Sequence, residues 1–189
     1  MSKSKEILLG VTGSIAAYRA CDIVRRLQDA GHNVTVVMTK GAEAFITPLS
    51  LASLSGRKVY RELFEPCLPA GREDNNVWQM DHILLAERAN LLLIAPATAN
   101  IIGKIANGIA DDLLSCIALA TKAKILIAPA MNTEMYKNKI VQGNIKKLRN
   151  FGVRFIDPPE GKLVCGTIGE GHLADVVDIV KSVERAIKK

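Results

Sequence analysis

The chain has 189 residues, of which 49% are apolar, 4% aromatic and 23% charged, with a formal net charge of +6. This profile excludes a disordered chain and supplies enough apolar side chains for one core, read here as a single domain over residues 1–189. No apolar run approaches the roughly 18–20 residues of a membrane span, and the opening MSKSKEILLG lacks the long apolar segment of a signal peptide, so the expected setting is cytoplasmic, with no membrane partner. The lysines and arginines are scattered without interleaved aromatics, which argues against nucleic acid as a partner and leaves the positive charge to solubility or to an anionic small ligand. Cys21, Cys67, Cys116 and Cys165 show no C-x-x-C or Cys/His ligand spacing, so neither disulfides nor a metal site are expected.

In chain order, EILLGV (6–11) is continuously apolar, as a strand buried on both faces must be. SIAAYRACDIVRRLQDAG (14–31) reads as a helix capped by Ser14 and ended by Gly31, and NVTVVMT (33–39) as the second strand. A Pro-, Gly- and Asn-rich stretch, EPCLPAGREDNNVWQ (65–79), reads as a long loop. LLLIAP (91–96), KILIAP (124–129) and VRFID (153–157) are further buried strands. They alternate with helical patterns at ANIIGKIANG (99–108), ADDLLSCIALAT (110–121) and NKIVQGNIKKLRNFG (138–152). A second long loop, DPPEGKLVCGTIGEG (157–171), precedes a closing amphipathic helix, DVVDIVKSVERAIKK. Such alternation predicts a Rossmann-like (flavodoxin-like) α/β fold, a doubly wound parallel sheet with helices on both faces, whose ligands bind beyond the carboxyl ends of the strands.

The candidate functional residues cluster at those strand ends. In GVTGSIAAY, the Gly13-Ser14 turn enters a helix and offers backbone N–H groups and a hydroxyl to a phosphate, or else is a tight turn with a capping serine. It is neither G-x-G-x-x-G nor a P-loop. Thr39-Lys40-Gly41 and Thr98-Ala99-Asn100 give two more strand ends made of small or hydroxyl-bearing residues, with room for a flat ligand. In PAMNTEM, Asn132 either caps a short helix or hydrogen-bonds a ligand carboxylate, and Met131 and Met135 either pack on the core or flank that ligand. His82 is structural or catalytic. Cys165, in a Gly-flanked loop, could donate a proton or act as a nucleophile. Cys21 and Cys116 fall in apolar helical patterns and are expected in the core, and His32, after Gly31, at the surface. His172 borders the Cys165 loop without an evident role.

Together these segments resemble the flavin-containing cysteine decarboxylases, most of all the branch that serves coenzyme A biosynthesis. GVTGSIAAY is similar to the family's flavin phosphate turn, and FITPLSLASLSG and HILLAERANLLLIAPATANIIGKIANGIADDLL to its central blocks. PAMNTEM fits its P-x-M-N-x-x-M substrate motif, and LVCGTIGEGHLAD its cysteine-bearing clamp. The resemblance implies FMN held by Gly13, Ser14, Ile15, Thr39, Lys40, Thr98, Ala99, Asn100, Ile101 and Ala130. It implies Asn132 on the substrate carboxylate, within the motif that includes Met131 and Met135, and His82 and Cys165 as catalytic groups. The implied substrate is 4′-phospho-N-pantothenoylcysteine. Flavin would oxidise its CH2–SH to a thioaldehyde, the C=S would accept the electrons as CO2 leaves, and Cys165 would protonate the resulting ene-thiolate as the flavin returns a hydride.

The resemblance further implies a homotrimer, or a higher multiple of trimers, with each flavin between subunits, and a phosphopantothenate-cysteine synthetase either fused or separate. The chain stops near where such a second domain would begin, so it is read as a stand-alone enzyme or as one part of a bifunctional protein. The 65–79 loop is longer than the family pattern, and HLAD stands where the family more often has Arg or Ala followed by Met. Three other readings on the same fold are a peptidyl-cysteine decarboxylase, which needs no donor such as Cys165; a flavin prenyltransferase, which lacks the P-x-M-N-x-x-M motif and the clamp cysteine; and a phosphatase-binding regulatory subunit, which usually carries acidic tails.

Overall fold

The computed structural model describes residues 4–64, 81–162 and 168–188. Six parallel strands, β1 (Glu6–Val11), β2 (Asn33–Met38), β3 (Val59–Tyr60), β4 (Leu91–Ala97), β5 (Lys124–Pro129) and β6 (Arg154–Phe155), form one sheet in the order β3-β2-β1-β4-β5-β6. The order reverses between β1 and β4, and a doubly wound sheet opens its ligand crevice at that reversal. Among the described residues eight α-helices flank the strands: α1 (Ala20–Asp29), α2 (Pro48–Ser55), α3 (Asp81–Arg88), α4 (Ala99–Ala106), α5 (Leu113–Ala120), α6 (Thr133–Lys137), α7 (Lys139–Asn150) and α8 (Val176–Ile187). A two-stranded antiparallel hairpin, β7 (Glu160–Lys162) and β8 (Ile168–Glu170), stands apart from the sheet.

The strands read as continuously apolar because their alternating side chains feed two cores. Ile7, Leu9 and Val11 of β1 and Leu91, Leu93 and Ala95 of β4 pack with α1, α2 and α8 on one face. Leu8, Leu92, Ile94 and Ala97 pack with α3, α4, α5 and α7 on the other. Both layers cover the faces of the sheet, and a cavity opens at the carboxyl end of the strands.

Several expectations need correction. The predicted helix over 14–31 is a 3-10 turn, Ile15–Arg19, followed by α1. VRFID contributes only two ladder residues, Arg154 and Phe155. The stretch 157–171 is not wholly loop, since it contains both hairpin strands. α2 and β3 lie in a stretch for which no element was read. His32 is not at the surface: Gly31, at φ +87°, turns the chain straight from α1 into β2, and α8 covers the turn. His32 is thereby 5% exposed, with its Nε2 paired to Glu184. Cys21 packs half-buried against the core. Cys116 is also half-buried, and its Sγ donates to the Ala110 carbonyl at 3.3 Å. Burial raises both thiol pKa values, and Asp112 and Asp111 raise that of Cys116 further, so neither is poised as a thiolate. Cys67, Cys165 and the whole of the 65–79 loop lie outside the described residues. Among the described residues no helix is long and apolar enough to cross a membrane.

Candidate active site

A cavity of about 740 Å³ opens beyond the carboxyl ends of β1, β2, β4 and β5. The turns after β1 and β2 touch backbone to backbone. A Cβ added to Gly13 would meet the Gly41 carbonyl carbon and oxygen at 2.9 Å, so a side chain there would force the two turns apart. Ser14 caps the 3-10 turn, its Oγ accepting from the Ala16 N–H at 3.3 Å. Thr39 joins the same corner through its N–H, which donates to the Val11 carbonyl at 3.0 Å.

Thr12 fastens this corner to the turn after β4. It is 1% exposed. Its Oγ1 donates to the Pro96 carbonyl at 2.7 Å and accepts from the Thr98 N–H at 3.0 Å. Thr98 in turn caps α4, accepting from the Ile101 N–H, and Ala99 and Asn100 open the helix beside it. The result is a cradle of Gly, Ser, Thr and Ala whose lining also includes Ile15 and Ile101.

A charged triad borders the cradle. Lys104 Nζ lies 2.6 Å from Asp111 Oδ1 and 2.7 Å from Asp112 Oδ2, and Asp112 also caps α5 in a reciprocal pair with Ser115. Burial opposes the charge on Lys104, but its hydrogen bonds to Asp111 and Asp112 outweigh it and raise its pKa above the ordinary lysine value. Burial likewise pushes the Asp112 carboxyl up. The bonds from Lys104 and Ser115 more than offset that and leave it below the usual carboxylate range. Arg19, also at the cavity, lies 4.0 Å from Asp175.

The opposite wall is the turn after β5. Ala130 donates its N–H to Ala97 at 2.9 Å, and Met131 donates to the Gly171 carbonyl at 2.9 Å, so this turn is pinned both to β4 and to the end of the hairpin. Two glycines allow the close approach. A Cβ on Gly171, at φ +126°, would sit 2.3 Å from the Met131 carbonyl oxygen, and one on Gly169 would sit 2.6 Å from Thr133 Oγ1. Asn132 Oδ1 accepts from the Glu134 N–H at 2.8 Å, capping α6. The capping reading of Asn132 thus holds, through its side-chain oxygen.

Gly13, Ser14, Ile15, Thr39, Lys40, Thr98, Ala99, Asn100, Ile101 and Ala130 all line this one cavity, as do Met131, Asn132 and Met135. His82 does not. It is the second residue of α3, which packs on α5, and its buried Nδ1 has no hydrogen-bond partner among the described residues. Cys165 falls in 163–167, outside the described residues. Sequence reasoning gave no role to Thr12, Lys104, Asp112 or His172, all of which line the cavity. Thr12 and Lys104 lay inside quoted motifs, but nothing in the order of residues marks a threonine as the bridge between two distant turns.

The Flavoprotein family model matches residues 1–188. The chain is 44% identical over 185 residues to the coenzyme A biosynthesis bifunctional protein CoaBC of Bacillus subtilis, covering 98% of this chain and 44% of that protein. It thus spans about half the length of such curated relatives. It is 42% identical to a probable phosphopantothenoylcysteine decarboxylase of Streptococcus mutans, covering 97% of this chain and 99% of that one. Among solved structures it is similar to a mutant PPC decarboxylase complexed with pantothenoylaminoethenethiol, with a TM-score of 0.85 and 30% identity over 99% of this chain and 100% of that chain. It is also similar to the FMN-dependent cysteine decarboxylase SpaF, with a TM-score of 0.77 and 30% identity over 96% of this chain and 97% of that chain.

Proposed function

The chain belongs to the Flavoprotein family, and from that premise we propose that it is an FMN-dependent decarboxylase that converts 4′-phospho-N-pantothenoylcysteine to 4′-phosphopantetheine in coenzyme A biosynthesis. The observation that carries this reading is the meeting of the small-residue cradle and the Asn132 turn in one cavity. The cradle fits FMN. The close contact of Gly13 with Gly41 leaves backbone rather than side chains facing the ligand. Ser14, Thr39, Lys40 and Thr98 supply hydroxyls and a cation for a phosphate, and Ile15 and Ile101 supply apolar surface for a ring.

FMN held there would supply the oxidation of the cysteinyl CH2–SH that gives the departing CO2 an electron sink. The protein's part is to orient and to move protons. The Asn132 amide donates to the carboxylate without adding a charge that would hold that group in place. Met131 and Met135 flank it with apolar surface, which keeps water from the departing carboxylate. Cys165, between β7 and β8 in the chain, protonates the ene-thiolate.

The same reading takes the assembly to be a trimer with flavin between subunits. Two features support it: His82 does not line the cavity of its own chain, and Ile15 and Tyr18, which do, are 52% and 62% exposed. A synthetase, fused or separate, makes the substrate, and the setting is the cytoplasm. The test is CO2 release by the purified FMN-bound protein on addition of the substrate. Release in proportion to substrate is expected; a protein that holds FMN and releases none contradicts the proposal.

A further inference from the structure

We propose that Lys104, Asp111 and Asp112 tune the reduction potential of FMN bound in this cavity, their excess negative charge holding it down. The inference rests on the FMN reading given above. What carries it is the distribution of charge on the lining. Arg19, Lys40, Lys104 and Asp112 are the charged residues that line the cavity among those described, so Asp112 is the one carboxylate there. Arg19 faces Asp175 at 4.0 Å, which leaves that pair neutral. Lys40 stands in the turn after β2, next to Gly41 and the Gly13-Ser14 turn, where its charge matches a phosphate. Lys104 instead faces two carboxylates, Asp111 Oδ1 at 2.6 Å and Asp112 Oδ2 at 2.7 Å. One ammonium against two carboxylates leaves a single negative charge in excess.

The order of residues along α4 puts this charge away from the phosphate turn. Thr98 caps the helix, and its N–H is bonded to Thr12 beside Gly13. Ile101 and Lys104 follow at three-residue steps, on one stripe of the helix. Ile101 offers apolar surface for a ring, and Lys104 lies one turn beyond it. The cluster is also held in place. The Lys104 side chain is only 17% exposed, and Asp112 is fixed as the cap of α5, accepting from the Ser115 N–H at 2.8 Å. Partly buried charges are screened much less by salt than exposed ones.

In mildly alkaline solution, full reduction of FMN takes up two electrons and one proton, so the ring gains one negative charge. A fixed negative charge nearby opposes that gain and lowers the potential. In the proposed reaction the electrons taken from the substrate are returned to it, and a low potential favours the return.

Spectroelectrochemical titration of the FMN-bound protein in mildly alkaline buffer tests this without substrate, with flavin absorbance reporting occupancy. Asp112→Asn keeps an N-cap and brings the cluster to neutrality. At the wild-type midpoint its ratio of reduced to oxidised FMN is expected about ten-fold higher, a rise of about 30 mV for a two-electron couple. Lys104→Gln leaves two uncompensated carboxylates and is expected to move the ratio about ten-fold the other way. The double variant keeps one negative charge through Asp111 and is expected near wild type, a restoration that loosened packing does not produce. Single variants that shift in the same direction, an unmoved Asp112→Asn, or a double variant displaced as far as either single one would overturn the inference alone. If Lys104→Gln holds no FMN, Asp112→Asn still decides: a rise supports the inference and an unmoved potential overturns it. A wild-type protein that binds no FMN would overturn the cofactor reading, and the inference with it.

Discussion

The two walls of the cavity are built on different principles. The wall after β1, β2 and β4 is backbone set against backbone, with Gly13 on Gly41 and Thr12 bonded to Pro96 and Thr98. It places small surfaces and few functional groups. The wall after β5 is a turn held under a hairpin by Gly169 and Gly171, and it presents the amide of Asn132, two methionines and the imidazole of His172. In the proposed decarboxylase the first wall would hold the cofactor and fail sterically, and the second would handle the substrate and fail chemically.

Substitutions can break that contrast, beginning with a steric one on the second wall. Gly171→Ala puts a methyl against the Met131 carbonyl at a φ that favours glycine, and should cost roughly 2–4 kcal/mol of stability. Denaturant titration checks this, and a wild-type midpoint would mean that the hairpin end yields freely. Asn132→Ala should retain FMN but lower kcat/KM about ten- to hundred-fold, the worth of a hydrogen bond to a charged group. Steady-state kinetics beside flavin absorbance reads both, and a wild-type rate would remove Asn132 from carboxylate binding.

Smaller effects sharpen the contrast. Thr12→Val keeps the shape of a fully buried side chain but strips the Thr98 N–H and the Pro96 carbonyl of a partner, at about 1–2 kcal/mol. The midpoint should fall and FMN affinity with it, whereas a raised KM with unchanged FMN affinity would place Thr12 with the substrate wall instead. The least effect is expected at Asp112. Its folded pKa is depressed, so its ionised form stabilises the protein above the unfolded carboxylate value, and that contribution is lost as pH falls through the folded value. Asp112→Asn keeps an N-cap and should lose less than about 1 kcal/mol near neutrality, with the gap to wild type closing in acid. A constant gap across a pH series of unfolding curves would contradict the charge pairing with Lys104.

Most of the sheet was legible because a strand buried on both faces has no polar positions to confuse with a loop; β1, β4 and β5 fell where EILLGV, LLLIAP and KILIAP predict. The elements missed have no such signature. β3 is two residues long, and in β7 and β8 the residues Glu160–Lys162 and Ile168–Glu170 show no apolar alternation, because the hairpin rests on a turn rather than on a core. His32 looked exposed because its burial depends on α8, whose Glu184 is 152 residues away in the chain. The candidate site shows the same division. Small residues at strand ends marked the cradle, since local crowding selects them. Thr12 went unassigned because its bridging contacts join two turns that only the folded chain brings together.

What leaves the substrate separates the possible reactions. A mass spectrum of the product formed by the FMN-bound protein from 4′-phospho-N-pantothenoylcysteine should show the loss of CO2 alone, the saturated thiol. Loss of CO2 together with two hydrogens would contradict the protonation assigned to Cys165 and move the protein to the ene-thiol-forming branch, and an unchanged substrate mass would contradict the decarboxylase reading itself.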